Sequence, residues 1–256
     1  MKIDIGVIGN ALFYCNDEYR ESYYLNEDGV YEKFPVDLVV PEDITEIKPN
    51  TFSCLKLNSL TIHKNVTKID WSAFYHLNNA IDHIYYEGSI EDWFKIEIEE
   101  QATFSSHFYL KDTDGNYQEV KAVNVPDSIN TINKYQLQAL GYVEHIFMHD
   151  FVYKIEEYAL YYSLNVRDIE FSKHLETIDY NDYQFEIECI LYNNASYVEN
   201  FSDRMTIYYH GTPEEFSKIT YRVNYCKKIY YYSEEEPTDT TYKYWHYDED
   251  GNAVAW

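Results

Sequence analysis

The chain has 256 residues, 45 of them acidic and 20 basic, for a formal net charge of −25 at pH 7. An acidic excess of that size opposes nucleic acid and anionic membrane surfaces, which are both held by positive charge. No run approaches the roughly 18 apolar residues of a membrane span, and no membrane insertion is expected.

Residues 1–22 are predicted to form an N-terminal cap, because an array of repeats has open ends that need a cover polar on its outer side. The stretch MKIDIGVIGNALFYCNDEY has one lysine and an apolar patch broken by Gly6, Gly9 and Asn10. It lacks the apolar core and cleavage site of an export signal. As written, the chain reads as cytoplasmic; surface display or secretion follows if a leader has been removed. IDIGVI supplies a first strand. Tyr23 to Val30 reads as a strand entering a tight turn at Asn26 to Gly29.

An apolar pattern then begins and repeats. Leu38, Val40, Ile44, Ile47 and Phe52 are followed by Leu60, Ile62, Val66, Ile69, Ala73, Phe74 and Leu77. Ile47 to Ile69 and Phe52 to Phe74 are both steps of 22. Each unit is a short strand, a polar bend, an apolar pair and an Ala-Phe step. One unit is too short to cover its own apolar face, so it must stack on its copies.

The stretch IYYEGSIEDWFKIEI, Ile84 to Ile98, closes this first series. Ile84 and Tyr86 are predicted to face inward and Gly88 to turn the chain. Ser89 is an N-cap for a short helix with Ile90, Trp93 and Phe94, and Asp92 stands at its third position. From Phe108, FYLKDTDGNY is a near-copy of the first strand-and-turn.

A second series follows with Val123, Val125, Ile129 and Ile132, then Ile146, Met148, Val152, Ile155 and Leu160, then Ile169, Phe171, Leu175 and Ile178. Ile132 to Ile155 and Ile155 to Ile178 are steps of 23, inside the leucine-rich-repeat range. Residues 181–206 break the step and read as a degenerate repeat or an irregular loop. IYYHGTPEEFSKIT, from Ile207, repeats the closing unit. Thr212 is its cap, Pro213 its first helical residue, and Phe216 stands in the place of Trp93. Tyr242 to Tyr247, DEDGN and Ala253 to Trp256 read as a last hairpin, turned at Asp250-Gly251 and covering the final strand's free edge. The organisation expected is a cap at 1–22, repeat blocks at 23–100 and 101–227, and a C-terminal capping hairpin at 228–256.

The unit VNVPDSINTI, with its following Ala-Leu or Ala-Phe step, resembles the BspA-type leucine-rich repeat of bacterial proteins. So do the two IYY-x-G closing stretches and the tail from Ile229. His63, His149 and Ser172 stand where that family has proline, and Lys48, Asp70, Asn133, Glu156 and Asp179 where it has glycine. The resemblance implies a leucine-rich-repeat solenoid, α/β to mainly β. It would be a right-handed coil with a parallel strand face, short helical or irregular convex connections and a C-terminal β-hairpin cap. Relatives of this kind are associated with adhesion and host-surface contact.

Little in the chain points to catalysis. Asp112-x-Asp114-Gly115-Asn116 and Asp248-x-Asp250-Gly251-Asn252 open like calcium loops, but neither is followed by a glutamate at the twelfth position; both are read as turns. His145 and His149 are four apart, a metal spacing on a helix but not across a strand and its bend. No nucleophile elbow or phosphate-cradling loop occurs, and acids are too common to single out a glycosidase pair. No catalytic residue, metal or cofactor is expected. Cys15, Cys54, Cys189 and Cys226 have no metal spacing, allow three pairings, and are read as reduced thiols.

Side chains alternate along a strand, so inward Leu60 and Ile62 send Thr61 outward. The same register gives an outward row of Val39, Thr61, Tyr85, Asn124, Phe147, Glu170, Tyr208 and Tyr230. Two readings of its aromatic content stand: cross-strand stacking that stiffens the sheet, or a docking surface. The 30 tyrosines fit genomic composition as well as contact. The function expected is non-catalytic binding of a protein through this row. The alternatives are a glycan held by exposed Tyr and Trp, and an enzyme built on a solenoid.

Overall fold

Strands that bury one side chain in two, separated by bends and a fixed step, can only close by coiling back onto themselves. The computed structural model shows this. It describes residues 14–16, 21–25, 30–33, 37–49, 51–52, 57–70, 73–74, 81–99, 106–160, 163, 165–178, 206–219 and 228–256. They form two compact units, Met1–Val120 with Tyr135–Tyr142, and Lys121–Lys134 with Val143–Trp256. Cys54, Cys189 and Cys226, the strand expected at IDIGVI, the turn at 26–29 and nearly all of 181–206 lie outside the described residues.

In the first unit, β1 (Tyr14–Asn16), β2 (Glu21–Leu25) and β3 (Tyr31–Lys33) make an antiparallel sheet, and β2 and β3 are the arms of the expected hairpin. The coils begin with β4 (Asp37–Val39) and β5 (Glu46–Ile47), continue with β6 (Ser59–Ile62) and β7 (Lys68–Ile69), and then β8 (His83–Tyr86). After helix α1 (Ile90–Trp93) come β9 (Glu97–Ile98), β10 (His107–Lys111) and β11 (Tyr117–Glu119). The main sheet runs β4, β6, β8, β10 in parallel, and β11 closes it antiparallel. Leu38, Leu60, Ile84 and Phe108 pair in register and are buried. A second ladder, β5-β7-β9, aligns Ile47, Ile69 and Ile98. Phe52 and Phe74, from successive coils, stack at 5.2 Å and are fully buried. The hairpin that the duplication places ahead of the second series is therefore hydrogen-bonded into the first unit's sheet.

The second unit repeats the plan with β12 (Ala122–Asn124), β13 (Thr131–Ile132), β14 (His145–Phe147), β15 (Lys154–Ile155), β16 (Asp168–Phe171), β17 (Thr177–Ile178) and β18 (Thr206–Tyr209). Helix α2 (Pro213–Phe216), β19 (Ile229–Tyr232), β20 (Lys243–Tyr247) and β21 (Ala253–Ala255) complete it. Val123, Ile146, Ile169, Ile207 and Ile229 share one register along the main sheet. Ile132, Ile155 and Ile178 share that of the second ladder. Val40, Ile62, Val125, Met148 and Phe171, one residue beyond the outward row, are all buried.

Histidine at the family's proline position ties coil to coil. His63 Nε2 meets the Pro41 carbonyl while Asn65 N–H donates to Nδ1 at 3.1 Å. His149 does the same, with Nε2 at 2.8 and 2.9 Å from the Pro126 and Ile129 carbonyls and Phe151 N–H donating to Nδ1 at 3.0 Å.

Both short helices start at full capping boxes, Ser89 with Asp92 and Thr212 with Glu215, which satisfies otherwise orphaned N–H groups reciprocally. Trp93 is buried between Tyr86 and Phe108, and its indole N–H donates to the Gln136 carbonyl at 3.2 Å. The glycine before each cap lies in a bend, as expected, and has a second cause besides the turn. Among the described residues positive φ falls only on Tyr135, Tyr158, Gly115 and Gly251. At Gly88 and Gly211 a Cβ would instead lie 2.7 and 2.6 Å from the rings of Tyr86 and Tyr209. Those rings lie over the glycine backbone, where no larger residue fits.

Candidate functional site

The outward row falls into one hydrogen-bonded ladder in each unit. In the first, Val39, Thr61 and Tyr85 are register partners, and Tyr109 on β10 continues them. In the second, Asn124, Phe147, Glu170, Tyr208 and Tyr230 are register partners, continued by Lys243. Val39 is 51 % exposed and Asn124 is exposed; Thr61, Tyr85, Phe147, Tyr208 and Tyr230 are half-buried; Glu170 is only 5 % exposed.

In the first unit the row is aromatic and self-stacked. Tyr85 lies 4.9 Å from Tyr109 and 4.7 Å from Tyr117, ring to ring. One step earlier along the strands, His83 approaches Tyr109, His107 stacks on Tyr142 at 3.7 Å, and His107 Nδ1 meets Glu119. One step later, Lys111 pairs with Glu87 and lies over the Tyr117 ring, and that ammonium holds the Glu87 carboxyl below its usual range. At the other end of the row, Asp37 is held low by hydrogen bonds from Asn58 and Ser59.

In the second unit the hairpin β20–β21 does more than cover an edge. β20 pairs parallel to β19, as the covering reading requires, and antiparallel to β21; its Tyr247 and the turn residues Gly251 to Ala253 reach over the outward face to side chains of β14, β16 and β18. Trp245 has outward parity, yet it is 0 % exposed. Its ring meets His210 at 5.0 Å, Tyr247 at 5.0 Å, Tyr232 at 5.2 Å and Tyr208 at 5.4 Å. Its indole N–H donates to the Tyr209 carbonyl at 3.0 Å. Tyr247 O–H reaches β16 and donates to Glu170 Oε2 at 2.8 Å, and His210 Nε2 lies 3.0 Å from the same oxygen. Burial and this carboxylate acceptor push the Tyr247 phenol well above its usual range. Burial raises Tyr208 as well, with Asp168 adding to it.

Under the turn of this hairpin lies a recess of about 280 Å³, lined by His145, Phe147, Asp168, Glu170, Tyr208 and the backbone stretch Gly251 to Ala253. His145 Nδ1 pairs with Asp168 across adjacent strands. His149 takes no part, since it is held by backbone carbonyls in the bend. Among the described residues no group of three or more His, Cys, Asp or Glu is placed to hold a metal ion. The two Asp-x-Asp-Gly-Asn segments are turns. Asp112 Oδ1 accepts from Asp114 and Asn116, and Asp248 Oδ1 from Asp250 and Asn252. These bonds hold both carboxyls low.

The sequence reading missed Tyr109, Lys243, His210, Tyr232, Trp245 and Tyr247. The signal for the first two was present, because the same alternation extends onto both hairpins. The other four follow only once the hairpin is seen to curl over the face.

Stacked parallel strands at a fixed step, a second short ladder and capped single-turn helices define a leucine-rich-repeat solenoid. The profile of the BspA type leucine rich repeat region matches in six copies, over residues 34–109 and 115–229, and the chain belongs to that family. A search of curated proteins found no match. Among solved structures, the chain is similar to a leucine rich cell surface protein from Faecalibacterium prausnitzii A2-165. The identity is 12 %, over 83 % of this chain and 98 % of that one, with a TM-score of 0.21.

Proposed function

We propose that the protein is a non-catalytic interaction module that binds a protein partner through the outward strand row. Leucine-rich-repeat proteins of this family are typically adhesion and interaction scaffolds. The observation that supports this reading most is the first unit's row. Val39, 51 % exposed, stands in register with Thr61, Tyr85 and Tyr109, an apolar and aromatic strip on a rigid ladder. Rigid rings with polar tips give contact area at small entropic cost.

The test is binding of the full chain to purified extracellular proteins and, in parallel, to a glycan panel, with Val39→Glu and Tyr85→Ala as variants. The expected result is protein binding that both variants weaken, Val39→Glu at an unchanged melting temperature and Tyr85→Ala at one lowered by the loss of its stacks on Tyr109 and Tyr117. Binding that neither variant alters removes the proposal. A response to glycans alone transfers the face to the carbohydrate reading.

A further inference from the structure

The recess beside the second hairpin differs from the rest of the outward face in shape and in charge. Its lining contains two carboxylates, Asp168 and Glu170, and no lysine or arginine. Glu170 is 5 % exposed, and its bonds from Tyr247 and His210 both fall on Oε2. Asp168 meets His145 through Oδ2. A buried carboxylate is costly unless a charge or strong donors offset it. Here the donors are a phenol and an imidazole, and one oxygen of each carboxylate is not used by these bonds. Asn252 turns its Nδ2 to the Asp248 carboxylate at 3.2 and 3.3 Å, which leaves its Oδ1 as a further acceptor. Phe147 and Tyr208 add aromatic rings to the lining, and an aromatic ring attracts a cation placed over its face.

One wall of the recess is a small side chain, Ala253. Aligned on Asp112 and Asp248, Ala253 occupies the place that Tyr117 takes in the first hairpin, where the Tyr117 ring lies 4.7 Å from Tyr85. A volume of about 280 Å³ has room for a whole lysine side chain with water around it, so the chemistry of the lining rather than tightness of fit selects the occupant.

We propose that this recess receives the ammonium group of a lysine side chain presented by the partner protein. An ammonium brings three donors and a full positive charge, which matches the acceptors and acidic lining. The proposal rests on the protein-docking reading of the outward face and adds the chemistry of one subsite.

Nα-acetyl-lysine N-methylamide is titrated into the full chain at low salt by calorimetry, beside its Nε-acetylated form, the arginine analogue and methyl glucoside. The lysine compound is expected to bind, to weaken with added salt, and to weaken about tenfold or more on Nε-acetylation, which removes charge-assisted bonds. Ala253→Tyr, which fills the recess, is expected to abolish binding. Asp168→Asn, at a partly exposed position, is expected to weaken it severalfold; should Ala253→Tyr lower the melting temperature, this variant decides. Equal binding of the acetylated compound, preference for arginine or glucoside, or unchanged affinity in Asp168→Asn overturns the proposal. If the lysine compound fails while Tyr85→Ala still removes partner binding, the subsite falls and the docking face stands. If it binds while neither Val39→Glu nor Tyr85→Ala affects the partner, the reverse holds.

Discussion

The hairpins β10–β11 and β20–β21 turn on the same chemistry and finish their sheets differently. Each has an aspartate whose side chain accepts from the backbone two and four residues on, followed by a glycine at φ +84 or +80. Aligned on that aspartate, Tyr109, Lys111 and Tyr117 of the first correspond to Trp245, Tyr247 and Ala253 of the second. The first set gives a half-exposed stack and an ion pair at the surface. The second gives a buried indole, a phenol bonded to a buried carboxylate, and an open recess. A turn fixes where two strands reverse; the residues one, three and five positions away decide whether the hairpin lies flat or folds over the face.

The largest effect should come from the residue that anchors the fold-over. Trp245→Ala removes a fully buried ring and its bond to Tyr209, and is expected to cost about 3–5 kcal/mol. Tyr109→Ala at the matching position removes a half-buried stacked pair and should cost about 0.5–1.5 kcal/mol for that pairing beyond the area lost. Urea denaturation of the two variants gives the ratio directly. Equal costs would mean that β20–β21 is no better seated than β10–β11.

Next is the position before the aspartate. Tyr247→Phe leaves a buried carboxylate short of one donor, and hydrogen bonds to charged groups are worth about 1.5–3 kcal/mol. Lys111→Met breaks a pair with Glu87 whose side chains are 39 % and 30 % exposed, and exposed pairs contribute about 0–1 kcal/mol. Chemical denaturation at low and high salt separates them. The Lys111 effect should fade with salt, and the Tyr247 effect should persist.

What was legible in the sequence follows from what alternation can encode. The inward rows, the caps at Ser89 and Thr212 and the two turns are local patterns, and each reads directly; the second ladder showed only as the apolar step at Ile47, Ile69, Ile132, Ile155 and Ile178, because strands of two residues are too short to show alternation. Trp245 was not legible because its parity is outward, and it is the rings of Tyr208, His210, Tyr232 and Tyr247 around it that bury it. Glu170 reads as an open contact for the same reason, yet Tyr247, 77 residues later, covers it. Gly88 and Gly211 read correctly as places where the chain bends; that a tyrosine ring also needs the space was not legible.

Where the two hairpins agree, equal costs are expected. Gly115→Ala and Gly251→Ala meet nothing within 4 Å of the new Cβ, so only the left-handed backbone opposes them, at about 1–2 kcal/mol each. Thermal unfolding of both variants checks this. A cost at Gly251 well beyond that at Gly115 would show that the second turn is held by the face it overhangs rather than by its own geometry.

The smallest difference lies in the paired closing motifs, where Tyr86 and Tyr209 occupy the same place before Gly88 and Gly211. Both rings are buried, but Tyr209 O–H donates to the Lys173 carbonyl at 3.1 Å while Tyr86 Oη is buried without a hydrogen-bond partner. Tyr209→Phe is therefore expected to cost about 1 kcal/mol, and Tyr86→Phe to be neutral or slightly stabilising, since it deletes an unsatisfied polar atom. Burial, with Glu215 nearby, pushes the Tyr209 phenol from its ordinary value near 10 up to about 12. The folded state thus holds that proton more tightly than the unfolded one. Its contribution is fully present below pH of about 10 and is lost as pH rises toward about 12. Denaturation curves from neutral to alkaline pH should show Tyr209→Phe less stable than the parent at neutral pH and converging on it above pH of about 10. A Tyr209→Phe variant that lost stability with pH as steeply as the parent would place that phenol in water and remove the distinction between the two motifs.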